Sequence, residues 1–180
     1  MYRHMISLEQ KYDSLLQEAE RRSQPGIANL RLCFELLALT AAIDRDCAVR
    51  LSPHNLSEGK FVVLFLLHGQ PQGLSPHELA DRAGVTRPTI TGLLDGLERD
   101  GFLARHSGLQ DRRKVSIRLS EKGDATARSL FAEHTRWIGS LFEGFSAEER
   151  SQFSALLQRV WRNTDAGKMA RPAIAGEPGP

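Results

Sequence analysis

Between Arg105 and Arg118 the chain carries five basic residues, Arg105, Arg112, Arg113, Lys114 and Arg118, against a single acid, Asp111. Cationic groups gathered on a short polar segment suit a polyanion better than a small substrate. Upstream, Arg87, Thr89 and Thr91 open a segment whose apolar stripe is Ile90, Leu93, Leu94 and Leu97. An arginine fork matches the two acceptors on a guanine edge, and a threonine offers a hydroxyl or a methyl to a base. Ser75 and Thr86 stand where helices are expected to begin, with His77 beside the first. Backbone N–H groups at such ends can hold phosphates, and His77 suits a phosphate or solvent contact. Covalent chemistry has no comparable set. No Ser/His/Asp order, phosphate loop or paired-carboxylate motif is present, so no catalytic residue and no enzyme is expected. His54, His68, His77, His106 and His134 have no spacing to Cys, Asp or Glu that makes a zinc site, so no metal and no cofactor is expected.

The elements that must carry these groups follow from periodicity and punctuation. Ser75-Pro76-His77-Glu78 is a capping box, with serine as N-cap and glutamate three residues on. A short helix through Leu79 and Ala80 follows, and Ala83-Gly84-Val85 makes a tight turn. Thr86 or Arg87 caps a second helix, which Gly101 ends. Phe102 to Arg105 reads as a strand, 106–113 as a polar loop, and Val115, Ile117 and Leu119 as one face of a second strand. Helix, glycine turn, helix and hairpin in this order make a winged helix-turn-helix, whose second helix enters the major groove while the hairpin reaches an adjacent minor groove.

Helical stretches flank this unit. Residues 5–22 place Leu8, Tyr12, Leu15, Leu16 and Ala19 on one face, and Pro25-Gly26 breaks that helix. From Leu30 to Ile43 the chain is apolar nearly all round and must be covered on several sides. Ser57 starts a helix that carries Phe61 to Leu67, ended by Gly69 and Pro71. A long helix after Ser120 carries Leu130, Phe131, His134, Trp137, Ile138, Leu141 and Phe142, and Ser146–Glu149 caps another with Phe153, Leu156, Leu157, Val160 and Trp161. The expected class is mainly α (α+β). Its parts are N-terminal dimerisation helices at 1–50, a winged helix-turn-helix DNA-binding domain at 51–122, C-terminal dimerisation helices at 123–164 and a disordered tail at 165–180.

Composition narrows the setting. The chain has 180 residues, 41% hydrophobic and 26% charged, which is globular usage. The net charge of +2 means that a nucleic-acid reading rests on where the charges sit. Two cysteines, Cys33 and Cys47, argue against a disulfide scaffold and fit a reducing cytoplasm. They cannot bridge along one straight helix, where their separation would be about 21 Å. Charges at Glu9, Lys11 and Asp13 interrupt any leader, and the apolar run 61–67 falls far short of the roughly 20 residues that span a bilayer. A soluble, cytoplasmic protein is expected.

From about Leu56 to Gly123 the sequence resembles the multiple-antibiotic-resistance regulator (MarR) family. The match lies in Leu74-Ser75-x-x-Glu78-Leu79-Ala80, in 85–91 (Val-Thr-Arg-Pro-Thr-Ile-Thr), in 97–103 (Leu-Glu-Arg-Asp-Gly-Phe-Leu), and above all in 111–123, an Asp-x-Arg wing signature leading to a polar-x-x-Gly helix start. The resemblance implies a homodimeric transcriptional repressor on pseudo-palindromic double-stranded DNA, with half-sites about 34 Å apart, released by a small effector. By motif position Arg113 would enter the minor groove, oriented by Asp111 and flanked by Arg112 and Lys114. Arg87, Thr89 and Thr91 would face the major groove.

The N-terminal helix departs from many members and resembles the extended N-termini of subgroups that sense phenolic compounds or urate; extra dimer cover is the favoured role for it. Cys33, in Arg31-Leu32-Cys33-Phe34, resembles the sensing cysteine of organic-peroxide regulators. The tyrosines those proteins use stand here as Leu37 and Cys47. Burial in the core is the leading expectation for Cys33, and peroxide sensing through it is the alternative. A phenolic or aromatic effector is the favoured ligand reading, and a winged-helix protein–protein module is a further one. The family's usual ligand position implicates Cys33, Leu37, His54, Phe61 and Phe65 as a candidate effector pocket.

Overall fold

The first helix closes ahead of the expected Pro25-Gly26 break, where Ser23 enters the left-handed region (φ +50°) and Gln24 N–H donates back to Ala19 O at 3.0 Å. Gly26 then turns the chain with a φ of +79°, a conformation open to glycine at no steric cost. In this computed structural model residues 7–107 and 115–169 are described. Helix α1 (Gln10–Arg21) is shorter than the expected 5–22, because Glu9 makes no side-chain cap and residues 7–9 are not helical. Leu16 is buried and Tyr12 stacks on Phe34 of α2 (Ile27–Leu51) at 4.6 Å between ring centres, whereas Leu15 stays 53% exposed. The expected apolar face is thus narrower than the sequence pattern.

A 3-10 turn (Ser52–His54) leads to α3 (Glu58–Leu67), N-capped by Ser57. Helix α3 ends before the expected Gly69, since His68 already adopts an extended backbone. Then come α4 (Pro76–Ala83) and α5 (Arg87–Arg99). Strands β1 (Leu103–Ser107) and β2 (Val115–Leu119) pair antiparallel, with Leu103 opposite Leu119 and Ser107 opposite Val115. Leu74 bridges Ile117 on the other side of β2. Leu64, Leu79, Ile90, Leu94, Leu97 and Ile117 are at most 1% exposed and form the core that fixes α3, α4, α5 and the hairpin together.

Helix α6 (Glu121–Leu141) starts against the hairpin. A Cβ at Gly123 would lie 1.9 Å from the carbonyl oxygen of Phe102, so only glycine permits this approach. The chain divides by its internal contacts between Arg128 and Ser129, within α6. In the second unit α6 ends at Leu141, and Phe142 turns away to join Phe145 and Phe153 in an aromatic cluster with ring centres 6.0 to 6.3 Å apart. Helix α7 (Ala147–Asn163) follows the second capping box, and its apolar residues Leu156, Leu157, Val160 and Trp161 remain 41 to 55% exposed. Of the disordered tail expected at 165–180, Asp165–Met169 form a short helix, α8, and residues 170–180 lie outside the described residues. Among the described residues no helix is long and apolar enough to cross a membrane.

Candidate nucleic-acid interface

The turn between α4 and α5 is built from local rules. Ser75 Oγ accepts from the Glu78 N–H at 3.2 Å, and the Glu78 carboxylate accepts from the Ser75 N–H at 2.8 Å. That backbone bond holds the Glu78 carboxyl below its ordinary range. Gly84 closes α4 in the left-handed region (φ +65°), and Val85 N–H donates to Ala80 O at 3.0 Å. Thr86 is the N-cap of α5, with Pro88 in the first turn as the sequence implies.

The outer face of α5 is polar and uncovered. Arg87, Thr89, Thr91 and Asp95 are exposed, while Ile90, Leu94 and Leu97 are buried. Thr91 Oγ1 donates back to Arg87 O at 2.9 Å, which leaves its methyl and lone pairs for a neighbour. Thr86 and Thr89 share a hydroxyl–hydroxyl bond of 2.8 Å. The Ser75 hydroxyl is spent within the capping box, donating to Glu78 at 2.7 Å. Its value to a phosphate is therefore confined to the helix terminus it caps. His77 is exposed and lies 3.5 Å from Asp81.

The hairpin is pinned at both edges. Arg105 of β1 donates from Nη1 to Glu98 at 2.7 Å and from Nη2 to Asp95 at 2.5 Å. Across the sheet, Ser116 Oγ and Arg118 Nε both donate to Gln72 O, at 2.6 and 3.3 Å. Two of the five basic residues of this segment therefore serve the scaffold. Asp111, Arg112, Arg113 and Lys114 lie outside the described residues.

Comparison with known proteins now bears on this geometry. Residues 56–115 match the family described as MarR. Over 148 residues the chain is 37% identical to the HTH-type transcriptional repressor YetL of Bacillus subtilis (strain 168), which covers 82% of this chain and 89% of that protein. The chain belongs to the MarR family. It is also 33% identical over 150 residues to the HTH-type transcriptional regulator PecS of Dickeya dadantii (strain 3937), covering 82% of this chain and 90% of PecS. The structure of Streptococcus pneumoniae FabT in complex with DNA shares the fold, with a TM-score of 0.63 at 23% identity over 73% of this chain and 94% of that one. This MarR-family chain is a transcriptional regulator with the mainly α, winged-helix fold that its sequence implies.

Other site expectations can be placed on the MarR-family scaffold. Cys33 is exposed on α2 and not packed in the core as expected; Leu37 is exposed beside it, His54 is exposed in the 3-10 turn, Phe61 is buried and Phe65 is 41% exposed. A cleft of about 390 Å3 opens at Leu67, Pro71, Arg118 and Asp124, apart from Cys33, Leu37, His54, Phe61 and Phe65. Cys33 and Cys47 are both free thiols, and burial raises the pKa of Cys47. No group of three or more metal-ligating side chains occurs among the described residues.

Sequence reading missed Asp95, Glu98 and Lys60. Lys60 of α3 reaches Asp100, the C-cap of α5, at 2.7 Å, and this bond holds the Asp100 carboxyl below its ordinary range. The local signal was only that Asp95 and Glu98, three apart, share one side of a helix.

Proposed function

We propose that this MarR-family chain represses transcription as a homodimer bound to a pseudo-palindromic operator, and that a small aromatic or phenolic effector releases it. The observation that carries the reading is the outer face of α5, where Arg87, Thr89 and Thr91 are exposed opposite a buried Ile90–Leu94–Leu97 stripe. In this reading those three side chains read the major groove, and Ser75, His77 and Thr86 sit at phosphates. Arg113 enters the minor groove with Asp111 orienting it and Arg112 and Lys114 beside it. YetL is named a repressor, and FabT was solved on DNA; both support the assignment.

Dimerisation is supported by α7, where Leu156, Leu157, Val160 and Trp161 form one half-exposed apolar stripe. A second copy would cover it, as two-fold pairing requires for a palindrome. Residues 1–50 and 123–164 would then serve dimerisation and 51–122 would serve DNA. The effector is assigned to the region of Cys33, Leu37, His54, Phe61 and Phe65. The exposed Cys33 supports one alternative, peroxide sensing.

Sedimentation of the full chain with an operator duplex tests the assembly: two chains per duplex are expected. Phenolic acids and an organic hydroperoxide are then added in parallel. Release by a phenolic acid supports the effector assignment, and release by hydroperoxide alone moves it to Cys33.

A further inference from the structure

Asp95 lies one and two helical turns beyond Thr91 and Arg87, on the stripe proposed to face DNA. A carboxylate in that position repels phosphates, and Glu98 adds a second one a turn further along. Both are held by one guanidinium that arrives from a different element. Arg105 of β1 places Nη1 on Glu98 and Nη2 on Asp95, and its own backbone N–H donates to the other oxygen of Glu98 at 3.3 Å. The Arg105 side chain is 33% exposed, the Asp95 side chain 57%. A planar fork fixes orientation in a way that a point charge cannot. On the far edge of the hairpin, Ile117 N–H donates to Leu74 O at 2.8 Å and Leu74 N–H donates to Ile117 O at 3.1 Å.

We infer that Arg105, Asp95 and Glu98 form a clamp that sets the angle between the recognition helix and the wing, so that Arg105 is a positioning residue for sequence discrimination and not a DNA contact. The inference rests on the DNA-binding reading above and adds which groups align its two reading elements. With the clamp closed, α5 and the base of the wing present themselves to adjacent grooves as one body. With it open, each still meets phosphates, but their spacing no longer selects one sequence.

Electrostatics and positioning predict opposite signs, which makes the test sharp. Removing two negative charges beside DNA strengthens binding to every duplex if charge alone matters. The full-length chain and its Asp95→Asn/Glu98→Gln variant are titrated against a duplex selected from a random library and against a scrambled duplex of equal length. Melting by circular dichroism confirms the fold of each. The clamp predicts that the ratio of selected to scrambled affinity falls by about fivefold or more, roughly the worth of one base-pair contact, while scrambled binding holds or tightens. Arg105→Lys, which keeps the charge and loses the fork, should lower the ratio as well. An unchanged or increased ratio in the double variant, or a wild-type ratio in Arg105→Lys, overturns the clamp. Equal binding of both duplexes by the wild-type chain would instead remove the DNA reading, and the clamp with it.

Discussion

Lys60 Nζ lies 2.7 Å from a carboxylate oxygen of Asp100, tying α3 to the C-cap of the recognition helix. The Lys60 stem also runs over Gly96, where an added Cβ would meet its Cε at 3.1 Å. Lys122 closes the same corner by donating to Asp100 O at 2.7 Å, with its ammonium 4.2 Å from the centre of the Phe102 ring. The far end of α5 is thereby held, while Arg87 and Thr89 at its N-terminal end are exposed.

This corner gives stability a pH dependence of known sign. The folded pKa of Asp100 is depressed below its ordinary 3.8 by Lys60. Its contribution is therefore complete above that value and is lost as pH falls through the folded pKa. Asp100→Asn should lower the urea midpoint at pH 7, and the difference from wild type should shrink in strong acid. A constant difference from pH 7 to pH 2 would show that the ion pair is not its source.

Gly123→Ala should destabilise the winged unit by about 1–3 kcal/mol, the usual cost of forcing atoms into a packed site. The new methyl would stand 1.9 Å from the Phe102 carbonyl oxygen, backbone that cannot swing aside. Urea unfolding checks it, and a midpoint equal to wild type would contradict the close approach.

Leu156→Glu combined with Val160→Glu should shift the chain toward monomer in sedimentation and abolish tight operator binding. Both positions are about half exposed in the single chain, so the fold should tolerate them. An unaltered dimer would place the interface elsewhere.

Cys33 should be alkylated by iodoacetamide well before Cys47. Cys33 is exposed, whereas burial, with help from Glu58 and Asp44, raises the Cys47 thiol and keeps it protonated. Peptide mass mapping over time reads the order, and faster labelling of Cys47 would reverse the assignment.

Arg113→Ala should weaken binding to all duplexes and reduce the slope of log affinity against log salt by about one unit, whereas Arg87→Ala should relax preference at one position per half-site. Equal losses on every sequence from both variants would deny this division of labour.

What could be read from sequence was mostly what is local. Both capping boxes, at Ser75–Glu78 and Ser146–Glu149, formed as written because their partners lie within one turn. Thr86, Gly84 and the β1–β2 pairing follow the same logic of short-range geometry. Arg105 shows the limit. Its charge pointed to DNA, but its partners Asp95 and Glu98 come within reach only once the hairpin folds back on α5. Lys60 and Asp100, 40 residues apart, pair for the same tertiary reason. Leu15 matched the apolar stripe of α1 and is nevertheless 53% exposed, because periodicity marks a face without saying how much of it a neighbour covers.

The central claim is tested most directly by selecting duplexes from a random library with the full-length chain at moderate salt. The account predicts enrichment of a pseudo-palindrome whose half-sites are centred about one helical turn, roughly 34 Å, apart. Recovery of no preferred sequence would contradict it and would assign the winged helix to a protein partner.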